Sequence, residues 1–166
     1  MRIRRAKGMK SNALIGHGYL PPMIQRLYLV LLLFLSLSGF GQMPIFKRYY
    51  IADIPGFGWL AKFFVTHTIH YLSAAVFLSL AGFVLVDFWL LHRDRLTVTV
   101  SGYLRGGLLA GILLSGVLLV IRNLPGYRFS PVFIIVLDIV HLGLVLAFFL
   151  IALACLVLKK KWTKFL

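Results

Sequence analysis

The sequence predicts an all-α membrane protein, a four-helix up-down-up-down bundle built as a single domain over residues 1–166. Of the 166 residues, 61% are apolar and 13% are charged, whereas soluble domains average about 45–50% apolar and about 25% charged residues. The charges stand in short clusters between long apolar runs, and a spanning helix needs about 20 such residues. This composition excludes both an ordinary soluble domain and a disordered chain.

Four apolar runs predict the membrane-spanning helices, at about residues 23–46, 59–91, 103–122 and 131–158. The third run is the shortest, but Arg105 and Arg122 at its ends can extend their side chains to the two interfaces. The alternation of Thr and Val over residues 96–100 is too short to predict a sheet. The helices are therefore expected to account for nearly all of the fold.

The first apolar run follows a basic amino-terminal segment, so a cleavable signal peptide is an alternative to a spanning helix. Ser36, Ser38 and Gly39 are small residues near a possible cleavage site. The run is long for the apolar region of a signal peptide, which favours a retained first span.

The distribution of Lys and Arg predicts the orientation. The chain has 18 Lys plus Arg against 4 acidic residues. Thirteen of these cations lie in the two tails and the second connection, and five lie in the first and third connections. By the positive-inside rule both termini are cytoplasmic. Because the cations cluster between apolar runs instead of forming one face, we expect no nucleic-acid partner.

Ionisable residues within spanning segments are costly and are functional candidates by default. Asp87 lies near the predicted cytoplasmic end of the second helix and is interpreted as an interfacial charge. The deeper candidates occupy the second and fourth helices: His67, His70, Asp138 and His141.

Depth counting relates two of these histidines. If the helices begin near Trp59 and Pro131, then His70 is 11 residues in and His141 is 10 residues in, or about 15 Å each at the rise of an α-helix. Two imidazoles at one depth on parallel helices can bind a single haem iron from opposite faces. Small residues nearby leave room for a macrocycle, although they are equally typical of close helix packing; they are Ser73, Ala74, Ala81, Gly107, Gly111, Ser115 and Gly116.

His67 and Asp138 each lie three residues outward from a proposed ligand. One interpretation is a pair that orients a ligand or exchanges protons with quinone, and the other is a hydrogen-bonded pair with only a packing role. His67 could also replace His70 as a ligand. Four cations of the outer connections are available to haem propionates or to a partner: Lys47, Arg48, Arg122 and Arg128.

Four stretches resemble a known family: GHGYLPPMIQRLYLVLLLFLSLSGF at residues 16–40, THTIHYLSAAVF at 66–77, LLSGVLLVI at 113–121 and DIVHLGLVLAFFLIALAC at 138–155. They resemble the prokaryotic membrane cytochrome b family that includes the gamma subunit of formate dehydrogenase and the cytochrome b of nickel-iron hydrogenases. The resemblance implies a location in the cytoplasmic membrane of a bacterium or archaeon. It also implies that His70 and His141 match the ligands of the outer of two b haems.

The sequence departs from this family at the inner haem. The resemblance places the two inner ligands at Tyr28 and Cys155, and neither is a histidine. Cys155 lies 14 residues after His141, nearly on the same helix face and about 21 Å further along. Because Tyr and Cys are poor substitutes for two imidazoles, we expect one haem b.

We therefore expect a membrane anchor subunit that contains haem b and transfers electrons between a periplasmic-side redox subunit and the quinone pool. The expected partners are an iron-sulfur or multihaem subunit, a catalytic oxidoreductase subunit, and menaquinone or ubiquinone. Such a chain is part of a larger oxidoreductase complex and not a stand-alone enzyme. The alternative is a haem-free membrane anchor or small transporter subunit, in which the intramembrane His and Asp residues relay protons.

Overall fold

The computed structural model describes residues 20–43 and 53–166, and within them four helices are long and apolar enough to cross a membrane. They are α1 (Pro22–Gly41), α2 (Phe63–Asp87), α3 (Val100–Ile121) and α4 (Pro131–Val157). A π-helical segment, Phe88–His92, continues α2, so that this span runs to 30 residues. The membrane-spanning all-α fold expected from the sequence is confirmed.

The chain forms two compact units, Met1–Leu90 and Leu91–Leu166. In the first unit, α1 packs against α2, and a short 3-10 helix at Gly58–Ala61 contacts both. In the second unit, α3 packs against α4. Contacts within each pair join the end of one helix to the start of the next, so each unit is an antiparallel helical hairpin.

Two helix boundaries in the first unit differ from the predicted ones. The helix expected over residues 23–46 ends at Gly41, because Gly39 and Gly41 weaken its last turn and Pro44 disfavours helical backbone at the residue before it. The helix expected from residue 59 begins at Phe63, since Lys62 takes an extended backbone with φ −88° and ψ 94°. Neither difference removes a span.

In the second unit the helix starts follow from their caps. Helix α3 begins at Val100, three residues before the expected start, because the Thr99 hydroxyl accepts a hydrogen bond from the Gly102 amide at 3.0 Å. Helix α4 begins at Pro131 as predicted, and the Ser130 hydroxyl accepts a hydrogen bond from the Phe133 amide at 3.3 Å. Polar caps of this kind satisfy amides that have no partner within the helix.

Residues 96–100 were not expected to form a sheet, and this expectation is wrong. Strand β1 (Leu96–Val98) pairs antiparallel with β2 (Thr163–Phe165), with Thr97 opposite Lys164. A three-residue strand is stable only beside a partner, and here the partner lies more than 60 residues further along the chain. Leu96 is buried, which ties this two-stranded ribbon to the second unit.

The spanning helices keep large apolar side chains on their surfaces. Phe64 is 83% exposed, Leu72 is 64% exposed and Leu150 is 69% exposed. A helix that is apolar on all sides belongs either in a core or in lipid, and these side chains lie outside the core. The protein is therefore a multi-pass membrane protein.

Candidate functional site

His70 is positioned by its neighbours on helix α1. Its Nδ1 lies 3.0 Å from the hydroxyl of Ser38, which is completely buried. The next residue is Gly39, where a Cβ atom would lie 3.2 Å from Cε1 of the imidazole ring. The ring therefore lies against the backbone of α1 at a place that has room for no side chain without some adjustment.

His141 has the same arrangement in the second unit. Its Nδ1 lies 2.8 Å from the hydroxyl of Ser115, which is buried in α3. The next residue is Gly116, where a Cβ atom would lie 3.4 Å from Cε1 of the ring. In both units, then, a Ser-Gly pair on the first helix of a hairpin holds a histidine on the second.

The contacts of Ser38 and Ser115 relate to which nitrogen of each imidazole ring carries the proton. A serine hydroxyl has a single hydrogen to donate. The Ser38 hydroxyl lies within hydrogen-bonding distance of the Phe34 carbonyl, and the Ser115 hydroxyl lies 2.8 Å from the Gly111 carbonyl. When each hydroxyl donates to its own helix, it accepts from the imidazole, and Nδ1 then carries the hydrogen. In the neutral ring the lone pair is then on Nε2, the form of histidine that binds a metal through that nitrogen.

The two serines and their glycines contact the candidate histidines, and sequence reasoning missed these contacts. From the sequence, Ser38 and Gly39 were considered only as part of a possible cleavage site, and Ser115 and Gly116 were considered only as small residues. The available signal is the Ser-Gly pair that recurs in α1 and α3, each followed by a histidine on the next helix. The separation between serine and histidine is 32 residues in one unit and 26 in the other, so no fixed period reveals it.

His67 contacts the carboxy-terminal end of α1. Its Nδ1 lies 3.2 Å from Oε1 of Gln42, whose amide nitrogen in turn donates to the Ser38 carbonyl at 3.2 Å. The imidazole also lies between two aromatic rings of its own helix, with centroids 5.3 Å from Phe63 and 4.3 Å from Tyr71. The structure thus gives His67 a partner within the first unit.

Asp138 has a partner within the second unit. One guanidinium nitrogen of Arg122 lies 3.1 Å from each of its two carboxylate oxygens. The side chains are 28% and 51% exposed for Arg122 and Asp138 respectively. Of the four outer cations considered above, Arg122 is therefore engaged in an ion pair, and Arg128 is exposed in the connection between α3 and α4. Lys47 and Arg48 lie outside the described residues.

The observed helix starts change the depth count. His70 lies seven residues after Phe63, and His141 lies ten residues after Pro131. These separations correspond to about 10 Å and about 15 Å along the two helices. The counts from the two observed helix starts therefore differ from the predicted ones, and the feature that the two histidines share within their own units is the Ser-Gly contact.

The small residues of α3 differ in their surroundings. Gly111 serves close packing, because a Cβ atom there would lie 3.2 Å from Cδ1 of Leu144. At Gly107 a Cβ atom would meet nothing within 4 Å. Gly107 therefore lies on the exposed surface of α3, whereas Gly111 supports helix packing.

Tyr28 and Cys155, where the resemblance would place histidines, lie within the helices. The Tyr28 ring lies 5.9 Å from the Phe77 ring, centroid to centroid. Cys155 is buried in α4. Both side chains contribute to the packing of their own hairpins.

The described residues contain no group of three or more His, Cys, Asp or Glu side chains that could hold a metal ion. A haem iron needs no such group, since the porphyrin supplies four of its ligands and the protein supplies the axial ones. Comparisons of the chain with protein-family models, with curated proteins and with solved structures find no match.

Proposed function

We propose that the protein is a haem b-containing electron-transfer subunit of a membrane oxidoreductase complex. The observation that carries the proposal is the recurrence, once in each hairpin, of a histidine with its Nδ1 hydrogen-bonded to a buried serine. A metal-ligating histidine is typically held in this way through its other ring nitrogen.

The donor set fits a b-type haem. Neutral imidazole nitrogens are common axial ligands of haem iron, and His70 and His141 each carry a lone pair on Nε2 in the assigned tautomer. When bound, haem supplies reversible one-electron chemistry. The chain supplies the axial ligands, keeps the imidazoles from rotating and provides apolar surroundings. We propose one haem per chain, whose iron His70 and His141 would hold.

Electron transfer in the membrane needs a donor and an acceptor. We propose that one of them is an iron-sulfur or multihaem subunit, which is itself bound to a catalytic subunit, and that the other is quinone. The described loops are short, so a partner must carry these centres. His67 and Asp138 are the proposed groups for proton exchange with quinone, because both are ionisable side chains of spanning helices. We further propose that both termini are cytoplasmic and that the membrane is the cytoplasmic membrane of a prokaryote.

The test is the visible spectrum of the purified full chain. We expect a sharp alpha band in the reduced-minus-oxidised difference, and about one haem per chain by pyridine haemochrome assay. His70→Ala and His141→Ala should each remove the band while the helices still insert. His67→Ala is the matched variant on the same helix and should retain it. Loss of the band in that variant alone would transfer the ligand role to His67.

A colourless pure protein would overturn the proposal and favour the other function considered above, a haem-free anchor or transporter subunit with a proton relay. Two haems per chain would contradict the proposed stoichiometry but not the electron-transfer function.

A further inference from the structure

The carboxy-terminal tail of the second unit is folded back onto the start of α3. At the end of α4, Lys159 takes a left-handed backbone with φ 52°, and the Lys160 amide donates to the Cys155 carbonyl at 2.8 Å. This Schellman turn reverses the chain after the helix. The tail then runs beside Thr99 and pairs as strand β2 with β1.

The backbone carbonyls of the tail are held from the α3 side. The Thr99 hydroxyl lies 2.7 Å from the Lys161 carbonyl, and the Ser101 hydroxyl lies 2.9 Å from the same oxygen. The Thr99 amide donates to the Trp162 carbonyl at 3.0 Å. Because the carbonyls are bound on this side, the polar surface that the tail presents outward consists of its side chains.

A buried arginine fixes the tail further. The Arg105 guanidinium donates to the Lys160 carbonyl at 3.3 Å and lies 4.1 Å from the centroid of the Trp162 ring. Gly102 allows this close approach, because a Cβ atom there would collide with the Trp162 carbonyl oxygen. The tail is thus a docked element and not a loose extension.

The docked tail gathers exposed positive charge at one end of the hairpin. Six Lys and Arg side chains around the ribbon are exposed, and the acidic residue among them, Asp94, lies 3.7 Å from one of the six, Arg93. Phe165 and Leu166, which are apolar and also exposed, lie on the same short tail. We call these side chains the basic ribbon surface; its cations are Arg93, Arg95, Lys159, Lys160, Lys161 and Lys164.

We propose that the basic ribbon surface binds anionic phospholipid headgroups at the membrane surface. Its position at the end of two membrane-spanning helices puts it at the level of the headgroups. Each Lys or Arg near an anionic membrane is worth about 1 kcal/mol, or about fivefold in binding. The aromatic ring of Trp162 suits the same interface. An acidic protein would match the charge equally, but the exposed Phe165 and Leu166 favour a lipid surface, into which apolar side chains can insert.

The experiment uses Trp162 as a reporter in the full chain, with Trp59→Phe and Trp89→Phe removing the other tryptophans. The protein is reconstituted into phosphatidylcholine vesicles that contain a minority of either brominated phosphatidylglycerol or brominated phosphatidylcholine. Bromine quenches tryptophan fluorescence on contact. We expect stronger quenching by the brominated phosphatidylglycerol, and we expect this preference to weaken as salt is raised.

Two variants separate charge from docking. The quenching ratio is the quenching by brominated phosphatidylglycerol divided by that by brominated phosphatidylcholine. The double substitution Lys160→Gln and Lys161→Gln should move this ratio towards one. The control, Lys62→Gln with Arg128→Gln, removes equal charge elsewhere and should leave the ratio unchanged. Gly102→Ala keeps every charge but displaces the tail, and it should also lower the ratio. If Gly102→Ala prevents insertion, Arg105→Lys takes its place, because it keeps the charge and removes the guanidinium that holds the Lys160 carbonyl and the Trp162 ring.

Equal quenching by the two brominated lipids in the unchanged protein would overturn the proposal. So would an equal effect of the ribbon pair and the control pair of substitutions. The proposal would also be overturned if Trp162 fluorescence responded to an added acidic protein but showed no stronger quenching by the anionic lipid. None of these outcomes depends on whether haem is bound.

Discussion

Replacement of Ser115 by alanine isolates the contribution of the serine contact to the histidine it holds. The hydroxyl lies 2.8 Å from Nδ1 of the His141 imidazole. In Ser115→Ala the ring nitrogen loses this hydroxyl as its partner. The ring is then free to take the other tautomer, which carries its hydrogen on Nε2 and cannot bind iron there.

The magnitude follows from the cost of a buried donor without a partner, about 1–3 kcal/mol. Since about 1.4 kcal/mol is a tenfold change in an equilibrium constant, haem affinity should fall by about 10- to 100-fold. Loss of groups that orient metal-binding histidines has effects of the same size. Ser38→Ala should weaken haem binding similarly through His70, where the serine lies 3.0 Å from Nδ1.

The matched control is Ser36→Ala. Ser36 lies two residues from Ser38 on α1, and its hydroxyl donates to the Leu32 carbonyl of its own helix. Its replacement by alanine therefore removes a hydrogen bond within the helix but no contact with a histidine. Haem retention after washing with a competing haem-binding protein measures the affinity. Nitrogen-15 spectra of histidine in the haem-free chain measure the tautomer directly. Equal haem loss from Ser36→Ala and Ser38→Ala, or histidines protonated on Nε2 in the unchanged protein, would refute the reasoning.

Three further substitutions test other parts of the structure. Gly102→Ala should loosen the tail, because its Cβ collides with the Trp162 carbonyl oxygen; protease cleavage after the tail lysines should quicken, and unchanged cleavage would contradict the docked tail. Asp138→Asn removes the charge that pairs with Arg122. Because the pair is partly exposed, the free energy of unfolding should change by less than about 1 kcal/mol, while quinone turnover slows without loss of haem. Unaltered turnover would count against proton exchange at this carboxylate. Thr97→Val should raise the melting temperature, since the Thr97 hydroxyl oxygen is buried with no hydrogen-bond partner among the described residues. A buried polar group without a partner costs about 1–3 kcal/mol of stability. A lower melting temperature would mean that the hydroxyl has a partner.

The spanning helices could be predicted from the sequence because lipid leaves the backbone few options. Across the hydrocarbon every amide and carbonyl must be bonded within the segment, so apolar length alone predicts a helix, as at α4. The ends are less determined. The extended backbone at Lys62 interrupts an apolar stretch that carries no local breaker, so only the fold reveals where α2 begins.

The side-chain partners were harder to predict than the helices. Helix periodicity groups His67 with His70 on one face, but it does not show what the opposing helix presents. Gln42 meets His67 and Ser38 meets His70, and these pairings depend on how far α1 slides along α2. The ribbon has the same origin, because β1 pairs with a strand near the end of the chain and local patterns carry no information about such distant partners.

The chain of hydrogen bonds from carbonyl to serine to imidazole has a consequence for the proposed electron transfer. The Ser115 hydroxyl is fixed at both ends, by the Gly111 carbonyl and by His141, so the ring cannot turn without breaking its bond to a hydroxyl that is itself held in place. A change of charge at Nε2 leaves both bonds in place, since neither uses that nitrogen. With haem bound as proposed, the surroundings of the ring would move little when an electron arrives or leaves, which would keep the reorganisation energy of the transfer low.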